Sequence, residues 1–217
     1  MKATGLYTSA VLVLVWVFVT GAAAQQTEDL SKALSEFNNG TIKGSAYENT
    51  MLGLRIRFPK SMTVDSKADA EGDIKKGIEL LNQGTKEDET RIAEMLRKER
   101  IIFAIRIPAT EVSAGASLNL TIKKDDNNAD VWKSAEKTIE YFTQSGKMKL
   151  EKPASTEKHG GLELVTFTLS MDYQNTRIFS RNYSTKRNGY LLTFGISYVD
   201  SNEFTKMESV LKGIETF

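Results

Sequence analysis

The sequence predicts an α+β fold: a twisted antiparallel sheet of about six strands flanked by helices, with an extra charged helical hairpin inserted after the second strand. Three observations carry this. Apolar and polar residues alternate with a period of two in residues 54–58, 117–123, 162–171 and 176–185. Asn188-Gly189 is a strong hairpin signal, because both residues tolerate the positive φ of a two-residue turn. Apolar residues recur at helical spacing in residues 131–145 and 202–214.

In chain order, residues 1–24 have the form of a secretory signal peptide. Lys2 gives a positive start, residues 10–19 (AVLVLVWVFV) are continuously apolar, and Gly21-Ala22-Ala23-Ala24 supplies small residues for cleavage after Ala24. The run is well short of the roughly 20 residues a spanning helix needs, so no stable membrane anchor is expected after cleavage. An exported protein, periplasmic or secreted, is the expectation.

Residues 25–43 form an N-terminal helical segment. Thr27 caps a helix over 27–37 with Leu30, Leu34 and Phe37 on one face, and Asn38-Asn39-Gly40 ends it. Residues 44–217 read as a single domain. Residues 45–58 make a hairpin closed by Pro59. Residues 66–99 carry dense charge of both signs around Ile74, Ile78 and Leu81, then Ile92, Met95 and Leu96. That is the pattern of a solvated helical hairpin, or of a docking arm.

Residues 101–107 form a strand ended by Pro108, and 117–123 another. In the helix 131–145, Trp132, Ala135, Ile139 and Phe142 share one stripe, and Gly146 stops it. Strands follow at 148–152, 162–171, 176–185 and 190–198. The closing helix turns Phe204, Met207, Leu211 and Ile214 inward.

A turn at Asn188-Gly189 sets Tyr183 opposite Phe194, Arg181 opposite Ile196 and Phe179 opposite Tyr198. One sheet face then collects these apolar residues with Val165, Phe167, Leu169, Leu118 and Leu120. The other collects Asn182, Ser184, Thr193, Ser197, Asn119 and Thr121. The polar face is either the water-facing side of a one-sided sheet or a groove that binds through hydroxyls and amides. Arg181 stands among aromatics and is expected to stack, pair with an acid or reach the edge. Arg181, Asn182, Ser184, Thr193 and Ser197 are the candidate binding residues.

Several segments together resemble the PsbP-like superfamily. They are Tyr47-x-Asn49 with Leu52-Gly53-Leu54-Arg55-Ile56-Arg57-Phe58-Pro59, then Ser117-Leu118-Asn119-Leu120-Thr121-Ile122 leading into the Trp132 helix. Gly189-Tyr190-Leu191-Leu192-Thr193-Phe194 and the closing helix complete them. Met62 stands where family members often carry Trp. The resemblance implies an antiparallel sheet flanked by helices and an exported location. It also implies a binding or assembly factor rather than an enzyme, and it carries over no site.

The chain holds 29 Lys and Arg against 28 Asp and Glu. With Lys2 in the signal segment, 28 basic residues remain against the 28 acids. This balance argues against nucleic acid as a partner. Cysteine is absent and His159 is the single histidine, so thiol chemistry, Cys-ligated metals and multi-His sites are excluded within one chain. No cofactor or metal is expected. Asp126-x-Asn128-x-Asp130 begins like a calcium loop, but Val131 stands at the required Gly and Lys137 at the required Glu. Asp130 is better read as the cap of the next helix. His159, in a loop between strands, is a weak catalytic candidate. The leading function is a monomeric, non-enzymatic binding or assembly factor with a protein partner. The alternatives are a hydrolase using His159 and a carrier of a small apolar ligand.

Overall fold

Three two-residue turns space the second half of the chain. Gly160-Gly161, Gln174-Asn175 and Asn188-Gly189 all have positive φ at both central residues, as type I′ hairpin turns require. They link four long antiparallel strands, β7 (Lys149–His159), β8 (Leu162–Tyr173), β9 (Thr176–Arg187) and β10 (Tyr190–Tyr198). In this computed structural model, the residues described are 38–66, 68–70, 72, 99–110, 114–125, 130–144, 146 and 148–217.

Before the meander come β1 (Thr41–Lys43), β2 (Ala46–Asn49), β3 (Leu54–Arg57), β4 (Thr63–Val64), β5 (Arg100–Ile107) and β6 (Ala116–Lys124). Helix α1 (Val131–Gln144) precedes β7, and α2 (Ser201–Lys212) and β11 (Glu215–Thr216) follow β10. Two sheets form where one of about six strands was expected. The larger has the order β4-β5-β6-β10-β9-β8-β7, the smaller β1-β2-β3-β11. The expected 45–58 hairpin lies in the smaller sheet, and the two residues of β11 pair with β3 beyond the closing helix.

The register expected around Asn188-Gly189 is the one observed: Tyr183 opposes Phe194, Arg181 opposes Ile196 and Phe179 opposes Tyr198. The next strand runs out of phase with that reading. Phe167 opposes Asn182 and Leu169 opposes Ser180, while Thr166 opposes Tyr183 and Thr168 opposes Arg181. The Gln174-Asn175 turn fixes this parity, and a one-residue difference moves every side chain to the other face. Each face of the large sheet is therefore apolar over one half and polar over the other.

The two apolar halves hold separate cores. On one face, Leu118, Leu120, Phe194 and Ile196 pack with Met207 and Leu211 of α2 and with Tyr47 and Ile56 of the small sheet. Tyr47 stacks on Phe103 at 4.6 Å. On the other, Phe167, Leu169, Met171 and Ile178 pack with Ala135 and Phe142 of α1. Burying one such side chain stabilises by about 1.5–3 kcal/mol.

The inward stripe of α1 differs from the expected one. Ser134, Ala135, Thr138 and Phe142 are buried, whereas Trp132 is 38% exposed and its indole N–H donates to Glu136 at 3.1 Å. Trp132 lies in the first turn, beyond the apolar patch that Phe142 and Ala135 cover. Asp130 caps the helix as expected, its carboxylate accepting from the Trp132 and Lys133 amides.

The outer strand β7 carries Lys149, Lys152, Lys158 and Pro153, with register shifts between Leu150 and Ser155. These devices discourage pairing along that edge. The signal segment 1–24, the helix at 27–37, and Asp126 and Asn128 lie outside the described residues. So does most of the charged hairpin of 66–99, and the described strands place that stretch after β4, not after a second strand. No described helix is long and apolar enough to cross a membrane.

Candidate functional site

His159 ends strand β7 rather than lying in a loop, because Gly160-Gly161 turns the chain within two residues. Gly160 has φ +55°, and a Cβ there would stand 2.1 Å from the Ile214 carbonyl oxygen. Only glycine lets this turn meet the end of α2 so closely. Its side chain only 9% exposed, His159 sits with Nε2 3.1 Å from Glu157 Oε2, and its ring meets Tyr183 edge-on at 5.6 Å.

Glu157 also accepts from Arg181. Arg181 is 8% exposed, stands 5.3 Å over the Tyr183 ring and 5.9 Å over Phe204, and donates to Thr168 Oγ1 at 3.3 Å. Stacking and pairing with an acid, both expected for this residue, are observed together. Tyr183 donates its hydroxyl to Glu208 at 3.0 Å, and Lys212 holds the other oxygen of Glu208 at 2.6 Å.

Burial pushes the Tyr183 phenol well above its ordinary value, with the Arg181 charge offsetting only part of that. Burial also acts to raise Glu208, but the hydrogen bonds from Lys212 and Tyr183 outweigh it and the carboxyl is lowered. Glu157, His159 and Glu208 each bring a ligand atom within 4.8 Å of the others. That donor set suits a divalent cation, yet Arg181 and Lys212 already compensate both carboxylates. The pair His159–Glu157 matches two members of a hydrolytic triad, the third being a nucleophile. The ring against the imidazole is that of Tyr183, whose hydroxyl burial holds protonated and which donates to Glu208.

The other four candidate residues are on the opposite face. Register across β6, β10 and β9 builds three rows: Ser117–Ser197–Ser180, Asn119–Gly195–Asn182 and Thr121–Thr193–Ser184. All eight side chains are buried, with exposures of 0–4%. This face is thus neither washed by water nor an open groove. The last row satisfies itself in part, with Ser184 and Thr193 hydroxyls 3.2 Å apart. In the first two rows Asn182 Nδ2 donates to the Ser180 hydroxyl and carbonyl, both at 3.5 Å. Ser117 Oγ, Asn119 Nδ2, Asn182 Oδ1 and Ser197 Oγ have no hydrogen-bond partner. Each such orphan costs about 1–3 kcal/mol. At the centre, a Cβ on Gly195 would stand 2.9 Å from Asn119 Oδ1 and 3.6 Å from Asn182 Oδ1.

Sequence reasoning missed Glu157, Glu208 and Ser117 as members of these two groups, and placed Asn119 on the polar face without counting it among the candidate binding residues. Asn119 and Ser117 were readable, since they alternate in phase with the apolar residues of β6. Glu208 was not, because its meeting with Tyr183 depends on how α2 crosses the sheet.

No family model matches the chain, and no curated protein matches it. Solved structures do. The chain is similar to the cyanobacterial PsbP of Synechocystis sp. PCC 6803 (TM-score 0.44, 12% identity, 82% of this chain and 96% of that one). It is similar to LpqN of Mycobacterium tuberculosis, described as involved in cell envelope biogenesis (TM-score 0.40, 10% identity, 75% and 82%). It is also similar to PA94, a Pseudomonas aeruginosa protein of unknown function (TM-score 0.38, 12% identity, 51% and 78%).

Proposed function

We propose that this chain is an exported, non-enzymatic binding or assembly factor that works as a monomer with a protein partner. The observation that carries the non-enzymatic part is the closed economy of charge around His159. Glu157 is shared by His159 and Arg181 and Glu208 by Tyr183 and Lys212, so both carboxylates are taken up in ion pairs and hydrogen bonds. Such a network holds strands and helix together. The apolar start at residues 10–19 supports export. The lysines and proline of β7 support the monomer.

The test has two arms. The exported chain, tagged at its C-terminus, is used as bait on the native envelope or secreted fraction and recovers one stoichiometric partner. The purified chain turns over nothing in an esterase, peptidase, phosphatase and glycosidase panel. Turnover that disappears in His159→Ala overturns the reading in favour of a hydrolase.

A further inference from the structure

The chain reversal between β9 and β10 also ties the two sheets together. Asn188 Nδ2 donates to the Met51 carbonyl at 2.7 Å. Its neighbour Arg187 donates through Nε to the Leu52 carbonyl and through Nη2 to the Gly53 carbonyl at 3.1 Å. Two consecutive side chains of the large sheet thus take three consecutive carbonyls in the turn that leads into β3 of the small one. Leu52 in that turn is fully buried in the core, so the clamp fixes a packed segment.

Half of this clamp rests on a reactive dipeptide. An asparagine amide followed by glycine is open to attack by the next backbone nitrogen, because glycine carries no side chain to block the approach and leaves the backbone free to turn. Asn188 and Gly189 are both exposed, and a Cβ on Gly189 would meet nothing within 4 Å. Asn39-Gly40, the same dipeptide elsewhere in the chain, is an internal contrast. Asn39 is half-buried, the Gly40 amide already donates to Asn38 Oδ1 at 2.9 Å, and a Cβ on Gly40 would stand 2.5 Å from the Glu48 carbonyl oxygen. The attacking nitrogen there is both occupied and packed.

We propose that Asn188 is a site of spontaneous deamidation and that its conversion releases the clamp on residues 51–53. The Gly189 nitrogen bonds to Asn188 Cγ, the Cγ–Nδ2 bond breaks, and Nδ2 leaves as ammonia with the proton of the Gly189 amide. Water then opens the resulting cyclic imide at either carbonyl, giving aspartate or isoaspartate. Both products replace the donor that faces the Met51 carbonyl with a carboxylate, so a hydrogen bond becomes a repulsion between acceptors. The new charge also competes with the Leu52 and Gly53 carbonyls for the adjacent Arg187 guanidinium. Isoaspartate further adds a backbone carbon to a two-residue turn whose length sets the register of β9 against β10.

The purified, folded chain is aged at mildly alkaline pH, and its chymotryptic peptides are read by mass spectrometry. Hydrogen exchange is followed on the same samples at the Gly53 amide, which donates to Thr50, and the Phe217 amide, which donates to Gly53. The mass gain of amide-to-acid conversion accumulates at Asn188 several-fold faster than at Asn39, and both amides lose protection in step with it. Asn188→Asp exchanges fast from the outset. Asn188→Gly, which suits the same turn and loses the donor without gaining a charge, lies between it and the parent. The proposal is overturned if Asn39 converts as fast as Asn188, or if the folded chain keeps Asn188 intact while a denatured sample loses it. It is overturned too if the aged chain and Asn188→Asp keep the parent's protection at Gly53 and Phe217.

Discussion

Arg181 and Asn182 are consecutive residues that stand on opposite faces of the large sheet, Arg181 opposite Thr168 and Asn182 opposite Phe167. One ties α2 to the meander through Glu157 and Phe204. The other belongs to an uncharged polar patch. A substitution at either position therefore reports on a different half of the molecule.

The Arg181–Glu157 pair is expected to show strong coupling in a double-mutant cycle. Arg181→Met alone leaves Glu157 part-buried beside aromatic rings, and should cost about 1–3 kcal/mol after allowance for its partial exposure. Adding Glu157→Gln should recover part of that loss. Urea unfolding with an unchanged m-value is the measurement. Additive single effects would show that the pair is merely adjacent.

Asn49 should be among the most sensitive polar residues outside the sheet's two faces. It is fully buried, donates to the Asn38 carbonyl at 2.9 Å and the Tyr47 hydroxyl at 3.0 Å, and accepts from the Leu52 amide at 3.0 Å. Asn49→Ala leaves several buried groups without partners, at about 2–4 kcal/mol in denaturant unfolding. The Tyr47 phenol, which burial pushes up to about 12, should then titrate differently, which a spectrophotometric pH titration reads.

Gly160→Ala and Gly44→Ala separate backbone strain from collision. Both glycines have φ near +60°, but a Cβ on Gly44 meets nothing within 4 Å, whereas on Gly160 it strikes the Ile214 carbonyl. Gly44→Ala should cost about 1–2 kcal/mol from φ alone. Gly160→Ala should cost about 3 kcal/mol or more, since packing strain adds to it. Equal losses would mean that the 160–161 turn readily shifts away from α2.

Glu203 should make the protein less stable at neutral pH than its amide counterpart. Burial raises its pKa, and although Oε1 accepts from the Gly115 amide at 3.2 Å, Oε2 has no partner. The folded state then holds the proton more tightly than the unfolded chain. This group's destabilising effect is present above the folded pKa and fades as pH falls through it towards the unfolded value of about 4.3. Glu208 and Glu215 have lowered values and act in the opposite sense, losing stability on acidification. Glu203→Gln should therefore raise Tm at pH 7 and lose its advantage near pH 4. No advantage at pH 7 would contradict the sign.

Much of the sheet was legible because its signals are local. Alternation marked β6 and β10, and Asn188-Gly189 fixed a register that is correct residue for residue. The Gly160-Gly161 and Gln174-Asn175 turns were missed. Gln174 is a poor left-handed residue by type, and the Pro153 in β7 looked like a strand end although an edge strand tolerates it. Missing the second turn put β8 in the wrong phase, and this made two half-polar faces look like one apolar and one polar face. Of the candidate residues, Asn182, Ser184, Thr193 and Ser197 did fall together, because period-two alternation brings them together once one register is known. His159 and Arg181 met through Glu157, whose position depends on the missed turn.

The three hairpin turns begin at residues 160, 174 and 188, so the two inner strands of the meander, β8 and β9, have the same length. Every contact within it joins residues close in sequence, and closing such short loops costs little chain entropy. Joining β6 to β10 instead bridges some seventy residues, as between Thr121 and Thr193. The meander is thus the part able to assemble first, with Glu157, Arg181 and Tyr183 already in place before α2 follows in the chain. Asn119 and Ser117 reach the Gly195 strand only through the pairing of β6 with β10. The polar patch therefore depends on the longest-range pairing of the large sheet's centre, that of β6 with β10.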